Sequence, residues 1–289
     1  MRNLLLSTKT FKSTLFPELT MNLIDVHSHL THAQFKEDIE AVLQRAEQAG
    51  LKVILVSGVN PPANREVLAL IKKYPKLLRA SLGIYPIDAL GLAAAETGLP
   101  RQVVPIDLEE EFSFLEKNKD KIAAIGEVGL DFHWATKEET YLKQADNFRR
   151  IIRFAKKINK PLITHTRKAE EEAIQILSEE ITNREIPVIN HCFSGKKAVI
   201  HKAAELGHYF SIPPNILRSH SFQTLVKIVD INQLLTETDA PWLSAFPETR
   251  NEPAQVLESV KKIAEIKGIS TEEAAEKMWQ NYQKIFGEK

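Results

Sequence analysis

Two histidines one residue apart, His27 and His29, close a short apolar run, Ile24-Asp25-Val26-His27-Ser28-His29. In an extended strand the side chains of i and i+2 share a face, so both imidazoles can aim at one point beyond the strand end. Imidazole is the commonest protein metal ligand and is neutral over much of the physiological range. Further ligand-type residues follow later apolar runs: Glu127 after Ile122–Ile125, His165 after Pro161–Thr164, His191 after Pro187–Asn190, and Asp239 after Gln233–Thr236. Each alone has a plainer reading: Glu127 as a loop-positioning carboxylate, His165 and His191 as buried hydrogen-bond partners, Asp239 as a turn former before Ala240-Pro241. Of nine histidines, however, these four fall at strand ends, while His32, His133, His201, His208 and His220 fall in helices, loops or a strand start. One shared cation site explains the joint pattern better than separate coincidences.

Such a site needs strand ends gathered on one rim. From Met21 onward, apolar runs alternate with amphipathic stretches eight times. The runs are Leu23–Val26, Val53–Val56, Leu78–Ile84, Ile122–Ile125, Pro161–Thr164, Pro187–Asn190, Tyr209–Ile212 and Gln233–Thr236. They are rich in Val, Ile and Leu without strict alternation, which suits parallel strands buried on both faces. Helical spacing marks Glu37–Gln48, Glu138–Asn159, Glu170–Glu180, Lys196–Glu205, Ser221–Asp230 and Pro253–Lys267, the last opening on a helix-starting proline. Thr271–Phe286 adds a helix after the final strand. The expected fold is an α/β (β/α)8 TIM barrel with a C-terminal extra helix, a single domain over residues 21–289. No Gly-rich dinucleotide fingerprint follows the first strand, which counts against an open doubly wound sheet. The long connection Asp88–Pro105 follows the third strand, so it lies over the barrel mouth as a lid or an inert insertion.

Lysine plus arginine and aspartate plus glutamate both number 38, and the net charge is zero. A protein that grips long nucleic acid by bulk charge is expected to be basic; contact with a polyanion must here be local. The single cysteine, Cys192, excludes an internal disulfide and fits a reducing compartment. No apolar run reaches the length of a membrane span, and nothing points to a membrane or an obligate protein partner. Residues 1–20 carry Arg2, Lys9 and Lys12 with no acid before Glu18, a weak likeness to an organellar transit segment. The expected reading is a disordered extension, or an upstream start with Met21 the true beginning, on a cytoplasmic protein.

The motifs IDVHSHL (Ile24–Leu30), IGEVGLD (Ile125–Asp131), ITHTR (Ile163–Arg167), NHCFSG (Asn190–Gly195), LLTETDAPWL (Leu234–Leu243) and RNEP (Arg250–Pro253) occur in that order. Together they resemble the TatD family of metal-dependent deoxyribonucleases, within the amidohydrolase-like superfamily. The resemblance covers the chain from Met21 onward and implies a barrel with a dinuclear site that hydrolyses DNA or nucleotide phosphodiesters. It implies six ligands: His27, His29 and Asp239 on one metal, His165 and His191 on the other, and Glu127 bridging them. It also implies Mg²⁺-supported activity, whereas four imidazoles favour Zn²⁺, Mn²⁺, Co²⁺ or Fe²⁺ over Mg²⁺ on softness grounds. Two divalent ions, Mg²⁺, Mn²⁺ or Zn²⁺, are therefore expected. The chain departs from the family at Gly83-Ile84-Tyr85-Pro86, where Gly-x-His-Pro is usual, and in the length of Asp88–Pro105.

Two cations can lower the pKa of water and neutralise charge on a phosphate. Asp239 is the expected general base, with Glu127 the other catalytic carboxylate. Arg167, two residues beyond His165, can offer a planar fork to a phosphate; an exposed helix start is its plainer role. Ser194-Gly195 precede a helix whose first amides suit an anion. Arg250 and Asn251 lie on the loop after strand 8, a common place for phosphate contacts, and Tyr85 can still donate a hydrogen bond. Asp25 and Glu237 are expected to orient neighbours, and Cys192 to pack rather than ligate. The expected function is 3′-to-5′ exonuclease action on single-stranded or nicked DNA, in a DNA repair setting. Rival readings are D-aminoacyl-tRNA deacylation or other ester or amide hydrolysis at the same site, and a non-catalytic metal-containing interaction protein.

Overall fold

Parallel strands without a polar face must be covered on both sides, and the chain does this by closing one sheet inside a ring of helices. The computed structural model describes residues 21–92, 98–100 and 103–287. The expected disordered extension, residues 1–20, and part of the Asp88–Pro105 connection lie outside the described residues. The strands are β1 Leu23–Ser28, β2 Leu51–Ser57, β3 Leu78–Leu82, β4 Ile122–Gly129, β5 Leu162–His165, β6 Val188–Asn190, β7 Tyr209–Ile212 and β8 Leu234–Thr236. They pair in chain order, all parallel. The ring meets itself between β8 and β1, where Thr236 Oγ1 donates to the Ile24 carbonyl at 2.6 Å and Asp239 N to the His27 carbonyl at 2.9 Å. The fold is the expected TIM barrel.

The helices are α1 Ile39–Ala49, α2 Pro61–Lys73, α3 Pro86–Ala89, α4 Leu108–Lys117, α5 Lys137–Lys157, α6 Glu170–Glu180, α7 Lys197–Glu205, α8 His220–Ile228, α9 Val256–Lys267 and the extra α10 Thr271–Phe286. Hydrophobic spacing had marked neither α2 nor α4. The α2 start is fixed locally, with Pro61 in the first turn and the Asn60 side chain accepting from Ala63 N. The segment read as one helix from Pro253 opens instead as a 3₁₀ turn, Pro253–Gln255, before α9. The extra helix α10 is docked by Asn281, which donates to the carbonyls of Ile231 and Leu234 at 2.8 Å each, and it buries Tyr282 completely.

Close strand packing is visible at Gly83, just past β3. A Cβ there would lie 2.4 Å from the carbonyl carbon of Gly126 and 2.5 Å from Glu127 N. No larger residue fits without moving the strand end that carries Glu127.

Candidate metal centre

The C-terminal ends of β1, β4, β5, β6 and β8 open on one cavity of ≈ 330 Å³. Strand alternation puts His27 and His29 on the same side of β1, both buried, with their Nε2 atoms 3.1 Å apart. Glu127 near the end of β4 divides its carboxylate: Oε2 lies 3.6 and 3.5 Å from Nε2 of His27 and His29, and Oε1 2.6 Å from Nδ1 of His165. Asp239 Oδ1 sits 3.6, 3.4 and 3.9 Å from Nε2 of His27, His29 and His191. Asp239 holds this position in the left-handed region, at φ 54°, a strained conformation that clusters at functional sites. The structure thus brings all six candidate ligands together. Their atoms form overlapping groups, His27 with His29 and Glu127, Glu127 with His165 and His191, and His191 with Cys192 and Asp239.

Three of the four imidazoles also have a polar partner at the rear nitrogen, while the buried His29 Nδ1 has none among the described residues. Ser57 Oγ lies 3.2 Å from His27 Nδ1, and Asp131 Oδ2 lies 2.8 Å from His165 Nε2. Glu237 Oε2 lies 2.7 Å from His191 Nδ1 while accepting from Ser211 Oγ at 2.6 Å. Partners of this kind fix ring orientation and raise ligand basicity. Asp25 touches no imidazole nitrogen in this way; it accepts from His27 N at 3.2 Å, Thr238 N at 2.9 Å and Thr238 Oγ1 at 2.5 Å, so it ties the two ligand-bearing strand ends together.

Burial and the nearby His191 push His27 well below the usual imidazole range, leaving it neutral. Burial also pulls His165 down, but the hydrogen bonds to Asp131 and Glu127 prevail and hold it at about 10. For His191, burial is outweighed by the charges of Glu237 and Asp239, giving about 9. Burial alone would raise Glu127, yet the His165 hydrogen bond keeps it well below the carboxylate range. Asp131, on the same balance of burial against His165, falls to about 2.

These residues fit divalent cations. Donor separations of 3.1 to 3.9 Å among His27, His29, Glu127, His191 and Asp239 are those between neighbouring ligands of an ion with bonds of about 2.0–2.2 Å, while Glu127 and His165 at 2.6 Å are at hydrogen-bond distance. The donor set, four imidazoles and two carboxylates, suits the first-row divalent ions.

The remaining candidates divide. Tyr85, Arg167 and Ser194 line the cavity. Tyr85 also donates to Asp131 Oδ2 at 2.6 Å, and the Arg167 guanidinium lies 5.6 Å from the Trp134 ring centre. Arg250 and Asn251 are directed elsewhere, a correction to the expected phosphate contacts. Arg250 forms a two-pronged pair with Asp38 at 2.9 and 2.6 Å, and Asn251 is fully buried, donating to the carbonyls of Thr238 and Trp242. Cys192 lines the cavity as well as packing on the core; burial raises its thiol well above the usual range. Asp131 is the residue that sequence reasoning passed over, although it ends the IGEVGLD motif four positions after Glu127.

A family model described as TatD related DNase matches residues 24–287. The chain is 34% identical to the deoxyribonuclease TATDN3 of Homo sapiens over 272 residues, covering 92% of this chain and 95% of that protein. It is 31% identical to the metal-dependent hydrolase YabD of Bacillus subtilis over 270 residues, covering 91% and 98%. The solved structure of the TatD homologue YJJV from Escherichia coli matches with a TM-score of 0.80 at 26% identity, covering 92% of this chain and 98% of that one. With its ligand-type residues on the barrel rim and its match over nearly the whole described domain, the chain belongs to the TatD-related DNase family of hydrolase enzymes.

Proposed function

We propose that this hydrolase cleaves phosphodiester bonds in DNA with two divalent cations, Mg²⁺, Mn²⁺ or Zn²⁺, removing nucleotides from the 3′ end of single-stranded or nicked strands. The observation that carries the reading is Glu127, whose two oxygens reach two different histidine groups, the arrangement of a bridging carboxylate. His27, His29 and Asp239 would hold one ion, and His165 with His191 the other. When bound, such ions lower the pKa of water and neutralise charge on phosphate oxygens. Asp239 accepts the proton of the attacking water as general base. Asp131 and Glu237 keep His165 and His191 oriented, and Arg167 and Ser194 face the incoming phosphate from the cavity wall.

The zero net charge and a cavity of ≈ 330 Å³ support engagement of a strand end rather than a long duplex. Among the described residues no helix is long and apolar enough to cross a membrane, and a cytoplasmic role in DNA repair belongs to the same reading. The test is incubation of metal-loaded protein with 3′- and 5′-labelled single-stranded DNA, a D-aminoacyl-tRNA and an aryl phosphodiester, beside Asp239→Asn. Metal-dependent shortening from the 3′ end is expected. Deacylation without DNA cleavage overturns the reading.

A further inference from the structure

We propose that the apolar side of the catalytic cavity is a preformed recess for the base of the terminal nucleotide, closed by the Gly98–Pro100 segment; this rests on the phosphodiesterase reading above and deepens it.

The cavity is two-faced. Thr166, Arg167 and Ser194 at the ends of β5 and β6 give it a polar wall, on which Glu170 also stands, accepting from Ser194 Oγ at 3.0 Å. Its apolar lining includes Phe222 and Leu243 and, as one packed group, Val59, Tyr85, Leu99 and Trp242. Val59, Tyr85 and Leu99 are buried in a small hydrophobic cluster separate from the barrel core, against which Trp242 packs. Phosphate and cations have no use for such a wall. A nucleobase does: its faces are flat and apolar, and they bind on aromatic and aliphatic side chains whatever the sequence.

The recess is held in shape. Ala33 N donates to the Gly98 carbonyl at 2.8 Å, and the buried Asn60 donates to the Pro100 carbonyl at 2.7 Å and to Asp88 Oδ2 at 2.9 Å. Gly98 takes φ +101°, and a Cβ there would lie 2.1 Å from His32 Nε2, so the segment passes the β1 loop at a distance only glycine permits. Leu99 is thereby fixed over the mouth, where it closes the apolar side. A strand whose end base occupies the recess must leave across the polar wall, which makes removal proceed one terminal nucleotide at a time.

The test compares thymidine 5′-monophosphate with 2-deoxyribose 5-phosphate, titrated calorimetrically into metal-loaded protein. The nucleotide is expected to bind on the order of tenfold more tightly. Leu99→Ala and Val59→Ala, each checked for folding by circular dichroism, are expected to remove most of that advantage and leave sugar-phosphate affinity unchanged. Equal affinity of the two ligands in the wild type, or an advantage that both variants leave intact, overturns the recess. DNA cleavage is measured in parallel. Its absence alongside base-dependent binding strikes the phosphodiesterase reading alone, whereas cleavage without base-dependent binding strikes the recess alone.

Discussion

Asp239 Oδ1 stands within 4 Å of three imidazole nitrogens, so its two possible duties can be separated by substitution. Asp239→Asn keeps the shape and an oxygen ligand but removes the basic carboxylate. Turnover is expected to fall by about 10²–10⁴ while atomic absorption still finds bound ion; turnover and metal content both near wild type would refute the general-base role. The six ligand-type residues were legible because each ends an apolar run, and an apolar run in a parallel barrel reports where the rim is. Asp131 was not legible in the same way. It lies on the loop after β4, and only the packing of β4 against β5 brings it to 2.8 Å from His165. Asp131→Asn is expected to weaken cation binding about 10–100-fold, read by calorimetric titration with Mn²⁺; unchanged affinity would make Asp131 a merely structural residue.

At the scale of elements, the eight strands were legible and three helices were not: the single turn α3 is too short to show a period, and α2 and α4 were missed for one shared reason. The core-facing side of α2 carries Asn64 and that of α4 carries Glu111, both buried. Asn64 Nδ2 donates to Glu111 Oε1 at 2.8 Å, and this pair interrupts both apolar stripes where a periodicity reading expects hydrocarbon. A similar blindness applies to the loop after β8: its position on the rim can be read, but not the direction of its side chains. Arg250 turns back to the start of α1, pairing with Asp38 and lying 4.6 Å from the Phe35 ring centre. Its role is to tie that loop to α1. Arg250→Ala is expected to cost about 1 kcal/mol of stability, given the exposure of the pair, and to leave KM for DNA ends unchanged. A several-fold rise in KM with unaltered thermal unfolding would restore Arg250 to the substrate.

For the molecule as a whole, the same residues that gather cations also set the pH dependence of stability. In the ion-free protein His165 at about 10 and His191 at about 9 lie above the unfolded value of about 6.5. Their ion pairs therefore contribute stability that is fully present below about pH 6.5 and is lost as pH rises through the folded values. A cation at the same nitrogens must displace those protons, so its apparent affinity rises over that window. At a hundredfold excess over its Kd, each ion adds about 2.7 kcal/mol to the folded state, or roughly 4–5 °C in Tm for a chain of this size. The gap in Tm between metal-loaded and chelator-stripped protein is accordingly expected to widen from pH 6.5 to pH 9, because the stripped protein weakens while the loaded one gains. Scanning calorimetry across that range checks it, and a gap that stays constant or narrows as pH rises would show that the cations do not replace protons on His165 and His191.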